Sequence, residues 1–230
     1  MTTTALLASL ALVAGPGPGP SAGPKELLRR CVETYGGRAA LERFPAMVQE
    51  GVVKSGRRGD GRLTRIFERP RRLRVSIAYS GNAGELRVLD GDRGWRDGEE
   101  LSGGPPYLAM VLQAARLDLP LVLLRAPVVD EGSVDRGGKR LRALSVPLGD
   151  GLSLTAELDP EGGEVRRVVT RMAGPGGVVE FVTEFADFRK VSGVLVPFRE
   201  TTFAQGQRTG ETVLESVELL PEAPTGAFRP

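Results

Sequence analysis

Three close carboxylate pairs are the side chains of this 230-residue chain whose type and spacing suit acid–base catalysis: Asp90 with Asp92, Asp97 with Glu99, and Asp159 with Glu161. Two neighbouring carboxyls can divide the roles of acid and base when their surroundings separate their pKa values. All three pairs, however, fall in turns rich in Gly or Pro, where aspartate ordinarily caps the local backbone. The chain has no histidine. That removes the commonest general base, the commonest metal ligand and every triad built on imidazole. No serine therefore has a visible base, and the acidic turns lack the full ligand series of a calcium loop. Gly104-Pro105 and Gly174-Pro175-Gly176 lack the Lys and Ser or Thr that complete a phosphate loop. Cys31 is the only cysteine, so no internal disulfide forms; beside Val32 in a helical pattern it reads as a small buried hydrophobe. The chain reads as a non-enzyme without metal or cofactor.

What remains is apolar. Pro105 to Leu124, PPYLAMVLQAARLDLPLVLL, carries only two charges, Arg116 and Asp118. Those charges and Pro120 argue against a membrane span. From Tyr107 to Leu119 the helical pattern is greasy on nearly every side, with only Gln113, Arg116 and Asp118 polar, whereas a helix packed from one side shows a polar face. Pro120 breaks it, and Leu121–Leu124 forms a second short piece. Two readings stay open on the residues alone: ordinary core against a sheet, or a lid over an apolar cavity.

The elements around the insert must position it. Ala5 to Ala14 (ALLASLALVA) matches a signal-peptide core, followed by small residues with cleavage expected near Ala14 or Ala22; no Lys or Arg stands near Met1. Gly15 to Pro24 is a Gly/Pro linker. Residues 1–23 are thus read as signal peptide and linker, and 24–230 as a single domain. Pro24 to Phe44 is helical, with Leu27, Leu28, Cys31, Val32 and Tyr35 on one face and a break at Gly36-Gly37. Beyond Pro45 the pattern turns to short strands. Leu73, Val75 and Ile77 alternate with Arg72, Arg74 and Ser76; Leu86 and Val88 alternate with Glu85 and Arg87; Val179, Phe181, Thr183 and Phe185 share a face. Asp159-Pro160-Glu161-Gly162-Gly163 joins two strands as a hairpin. About ten strands at near-regular spacing, with Gly (31) and Pro (17) frequent, imply a curved antiparallel meander with an N-terminal helix and a helical insert.

Net charge is only +2, so no global field draws nucleic acid. Arginine dominates the bases. Lys54 to Arg74 holds nine basic residues against Asp60 and Glu68, while Val178 to Glu222 holds eight acids and four bases. These read as two complementary solvated strand faces or as a patch for anionic head groups. Aromatics do not interleave with the arginines as a nucleic-acid stacking platform requires.

The order of elements, with Asp90-Gly91 leading to Trp95, Leu158-Asp159 at a hairpin and Pro197-Phe198 in a late strand, resembles the LolA/LolB-like superfamily of bacterial envelope proteins over roughly Lys25 to Pro230. The resemblance implies a half-open antiparallel β-barrel with a helical lid. It implies a periplasmic, non-enzymatic carrier of lipid or lipoprotein acyl chains, meeting an inner- or outer-membrane partner protein. It favours lid over core for the insert. On that reading the apolar cavity is lined by Leu86, Val88, Trp95, Tyr107, Leu108, Val111, Leu112, Leu119, Leu123, Phe181 and Phe185. Arg65, Arg72 and Arg74 are the candidates for head-group contact. Trp95 reads equally as a strand-packing residue. The alternative function is an envelope scaffold or sensor whose sheet edge or insert binds another protein.

Overall fold

The computed structural model describes residues 23–230 other than Asn82 and Pro175; the expected signal peptide lies outside them. Two N-terminal helices, α1 (Pro24–Thr34) and α2 (Arg38–Arg43), precede β1 (Ala46–Ser55), β2 (Gly59–Glu68), β3 (Arg72–Tyr79), β4 (Glu85–Asp90), β5 (Arg93–Arg96) and β6 (Glu99–Leu101). The insert forms α3 (Gly104–Leu117) and α4 (Leu121–Arg125). Strands β7 (Val129–Arg136), β8 (Lys139–Gly149), β9 (Leu152–Leu158), β10 (Val165–Gly174), β11 (Gly177–Val191), β12 (Val194–Ala204) and β13 (Gln207–Leu220) complete the chain.

Among the described residues thirteen strands form one antiparallel sheet in the order β6-β5-β4-β3-β2-β1-β13-β12-β11-β10-β9-β8-β7. Two meanders are joined where β1 pairs with β13, and β6 and β7 remain as unpaired edges. The sheet is curved and not closed into a barrel. The strand count exceeds the expected ten chiefly because β6 and β7 carry no apolar alternation; both are edge strands that bury little.

The insert links the two edges. Helix α3 touches β3, β4, β5 and β6 on one side and β9 and β10 on the other, so the sheet wraps around it. No residue from Tyr107 to Leu123 is exposed, which is why the helix needs no polar face. Gly94 of β5 lets it approach: a Cβ there would stand 2.8 Å from Met110 Cε and 2.9 Å from the Tyr107 ring. The core under the helix includes Leu63, Phe67, Leu73, Leu89, Leu144, Leu154 and Leu158. Among the described residues no helix is long and apolar enough to cross a membrane.

Helix α1 buries Leu27, Cys31 and Val32. It docks at the hairpin ends: the Tyr35 hydroxyl accepts from the Val165 amide at 3.3 Å, and Thr34 Oγ1 donates to the Gly162 carbonyl at 2.6 Å. Burial pushes the Tyr35 hydroxyl far above its ordinary range and the Cys31 thiol up to about 12, so neither ionises at neutral pH.

Candidate functional site

The few polar residues of the insert turn inward. Arg65 on β2 and Glu200 on β12 are each 2% exposed, and both occupy inward-facing positions of alternating strands. Arg65 Nη2 and Nη1 donate to Glu200 Oε1 and Oε2 at 2.6 and 3.1 Å, while its Nε donates to Gln49 Oε1 at 2.5 Å. Arg65 and Glu200 are separated in the sheet by β1 and β13. A bulge between Glu50 and Gly51 kinks that join, and a Cβ on Gly51 would lie 2.2 Å from the Val213 carbonyl oxygen. From above, Arg116 of α3 donates Nη1 to Glu200 Oε2 at 3.0 Å, and its guanidinium stands 5.7 Å from the Phe185 ring centre. Burial by itself would raise the Glu200 pKa; the two guanidiniums outweigh it and hold the carboxyl at about 2.

A second buried carboxylate ends the helix. Asp118 binds Arg69 Nε through one oxygen and accepts from Arg125 Nη1 at 2.9 Å through the other. Arg69 also donates to the Leu41 and Phe44 carbonyls at 2.7 and 2.9 Å, tying α2 to the same corner. Desolvation raises the Asp118 pKa despite these partners. Toward the start of α3, Arg87 donates to Gln113 Oε1 at 3.1 Å and Arg71 to the Tyr107 hydroxyl at 3.0 Å. Arg125 belongs to the insert itself, so four polar links, from Glu200, Arg69, Arg87 and Arg71, hold the insert down as well as apolar packing.

Two voids flank it. A cavity of about 70 Å³ lies beside the C-terminal end of α3, walled by Arg116, Arg69, Glu200, Gln49 and a majority of apolar side chains including Phe44, Met47, Leu119, Phe185 and Leu219. A groove of about 280 Å³ runs along the other flank, between α3–α4 and the β2–β3 and β8–β9 turns, lined by Leu108, Val111, Ala115, Val122, Leu148 and Leu152 with Arg71 and Arg125 at its rim.

The expected site residues divide accordingly. Tyr107, Leu108 and Val111 line the groove, and Leu119 and Phe185 line the cavity. Leu112 and Leu123 are fully packed core, and Phe181 packs against that core from the rim. Leu86, Val88 and Trp95 are a correction: they lie on the opposite face of the sheet, in a separate cluster around Phe228. Strand alternation is the reason. Gly94 and Leu89 face α3, so Trp95 and Val88 point away.

Arg72 and Arg74 are corrected with them. Arg72 stacks over Phe228 at 4.4 Å and Arg74 donates to the Arg229 carbonyl at 2.7 Å, so both serve the C-terminal segment that covers this face. Of the three head-group candidates, Arg65 alone reaches the enclosed side, and it is held by Gln49 and Glu200.

Sequence reasoning missed Gln49, Glu200 and Arg69 as site residues. The signal for Glu200 was present: Val194, Val196, Phe198 and Glu200 share the buried phase of β12, so this carboxylate had to be paired inside. Of the carboxylate pairs, Asp159 caps its own turn, Asp97 reaches across to β4, and Asp90 and Asp92 are ion-paired with Arg72 and Arg71. Asp159 Oδ1 accepts from the Glu161 and Gly162 amides at 3.0 Å, and Asp97 Oδ1 accepts from the Leu86 amide at 2.8 Å. Among the described residues no three acidic or cysteine side chains gather as a metal set.

The architecture is an open antiparallel sheet wrapped about an inserted helix, with lined voids beside it. Neither a protein-family model nor a curated protein matches the sequence. Among solved structures, a DUF1329 family protein from Desulfovibrio piger superposes with a TM-score of 0.58 at 9% identity, covering 89% of this chain and 96% of that one. A LolA superfamily protein from Nitrosomonas europaea superposes with a TM-score of 0.55 at 12% identity, covering 87% of this chain and 96% of that one. The chain has the LolA-like fold, as the order of its elements implied.

Proposed function

We propose that this protein is a non-enzymatic periplasmic carrier that holds the acyl chain of a lipid or acylated protein between the α3–α4 insert and the sheet. The observation that carries the reading is incomplete filling. A sheet that encloses a helix on both sides leaves a cavity and a groove along that helix, both lined mainly by apolar side chains. Water gains little from such surfaces, and a chain of methylenes removes them from contact with it. The groove is at the lower end of the volume range of small-molecule sites. Outward movement of α3–α4 would join it to the cavity.

Four polar links restrain that movement. Each is exchangeable for contact with water once the insert lifts, whereas the apolar underside of the helix is not. A bound chain compensates that underside and so favours the raised position.

Uptake of a fluorescent long-chain fatty acid by the purified protein tests the reading. Saturable uptake, lost on replacing Leu108 of the groove by Asp in a variant that keeps its circular dichroism, is the expected result. No uptake by the wild-type protein would overturn it.

A further inference from the structure

Around the C-terminal end of α3 stand four guanidiniums and two carboxylates. Arg65 and Arg116 share Glu200, and Arg69 and Arg125 share Asp118. Arg125 is half exposed, and solvent screens it. Arg69 donates twice to backbone carbonyls besides its carboxylate. Arg65 has all three of its nitrogens engaged, two by Glu200 and one by Gln49. Arg116 differs. Its side chain is 9% exposed, it gives Nη1 to a carboxylate oxygen that Arg65 already uses, and it forms part of the cavity wall. Burial also pulls its pKa down from the ordinary value, more strongly than Glu200 lifts it.

A buried cluster of two cations and one anion carries an uncompensated positive charge. Such a charge is costly unless a counter-charge or further hydrogen-bond acceptors reach it. The space beside Arg116 is a cavity whose other polar walls are Arg69, Gln49, Tyr35 and Glu200, the last already taken up by Arg65 and Arg116, and whose remaining walls are apolar. The α3 C-terminus contributes a partial negative charge of about half a unit within the last turn, which offsets only part of the excess.

We propose that this cavity takes the anionic head of a single-chain amphiphile, a long-chain carboxylate or phosphate monoester, inserted head first beside Arg116. The tail then passes Leu119 beneath the insert and lies along the groove at Leu108 and Val111. The inference rests on the proposed carrier function and specifies the ligand class for it. A guanidinium matches both head groups through paired N–H donors, so the shared chemistry is a compact oxyanion on one alkyl chain.

The test compares palmitate, hexadecyl phosphate, hexadecanol and hexadecylamine as competitors of a fluorescent fatty acid on the full chain. One or both anions should bind about tenfold to a hundredfold tighter than the alcohol, the range expected of a charge-assisted hydrogen bond. The amine should bind weakest. The ratio of palmitate to hexadecyl phosphate names the head group. In Arg116→Gln the advantage of the anions over the alcohol should disappear, because Arg65 and Glu200 then form a balanced pair.

Equal binding of the anions and hexadecanol by the wild-type protein overturns the inference and leaves the carrier reading standing. So does an anion preference that survives in a folded Arg116→Gln protein. If none of the four competes, the carrier reading fails with it. The wild-type comparison decides the matter even where the variant does not fold.

Discussion

Arg116 of the inserted helix and Glu200 of β12 form a 3.0 Å ion pair in the interior, with Arg65 clasping the same carboxylate from the sheet. Helix and sheet are thereby joined through a single carboxylate whose two guanidinium partners come from opposite sides. The pair is also the reason the greasy insert carries a charge: it is an internal strut instead of a solvated position.

Removing the carboxylate should cost far more than removing either cation. Glu200→Gln leaves two guanidiniums buried without an anion, and is expected to destabilise the protein by about 3–5 kcal/mol. Arg116→Gln leaves the Arg65–Glu200 pair, and its cost should stay below about 2 kcal/mol. Urea midpoints of the two variants check the order; equal losses would show that Glu200 does not anchor both arginines.

Acid stability should report the same carboxylate. The folded protein holds Glu200 at about 2, well below its ordinary value. A carboxylate depressed by folding contributes stability that is complete above its unfolded pKa and is lost as pH falls through the folded one. The loss attributable to Glu200 therefore lies between about pH 4.5 and pH 2. Asp118 acts in the opposite sense, since burial raises its pKa and protonation relieves it. Urea midpoints across this window should fall more steeply in the wild-type protein than in Glu200→Gln; parallel curves would contradict the assignment.

The C-terminal segment can be read through the only tryptophan. Trp95 lies with Val88 and Phe228 on the face away from α3, so Phe228→Ala should shift its emission to the red and open it to acrylamide. The stability cost should be about 2–3 kcal/mol, at or below the lower edge of that for a core phenylalanine because the cluster is small. Fatty-acid uptake should be unchanged. A loss of uptake with unaltered Trp95 emission would place the segment on the wrong face.

Leu112 and Leu108 separate core from groove. Leu112 is 2% exposed within the core, and Leu112→Asp should abolish folding by burying a charge without a partner. Leu108 is half-buried and lines the groove, and Leu108→Asp should fold and lose uptake. Circular dichroism with the uptake assay distinguishes them.

Much of the scaffold was legible because it rests on periodicity. The break at Gly36-Gly37, the end of α3 before Pro120 and the alternation of Leu73, Val75 and Ile77 each follow from local sequence, and the structure places them there. The edges β6 and β7 were not legible, because strands that bury little show no apolar phase. Misplacing Trp95, Leu86 and Val88 has a definite cause. In β5 the position facing the helix is a glycine, and in β4 one of the facing residues is Arg87, so the stronger apolar signal came from the outer face. That face is apolar because residues 221–230 cover it, a long-range contact with no local trace. Arg65 and Glu200, by contrast, stood in the buried phase of their strands, and only their mutual pairing required the structure.

The most direct test of the carrier function is native mass spectrometry of the protein purified from bacterial cells and again after incubation with palmitate. A population heavier than the apoprotein by the mass of a lipid or fatty acid is expected, released when the insert is disrupted in Leu108→Asp. A spectrum containing only apoprotein under both conditions would contradict it.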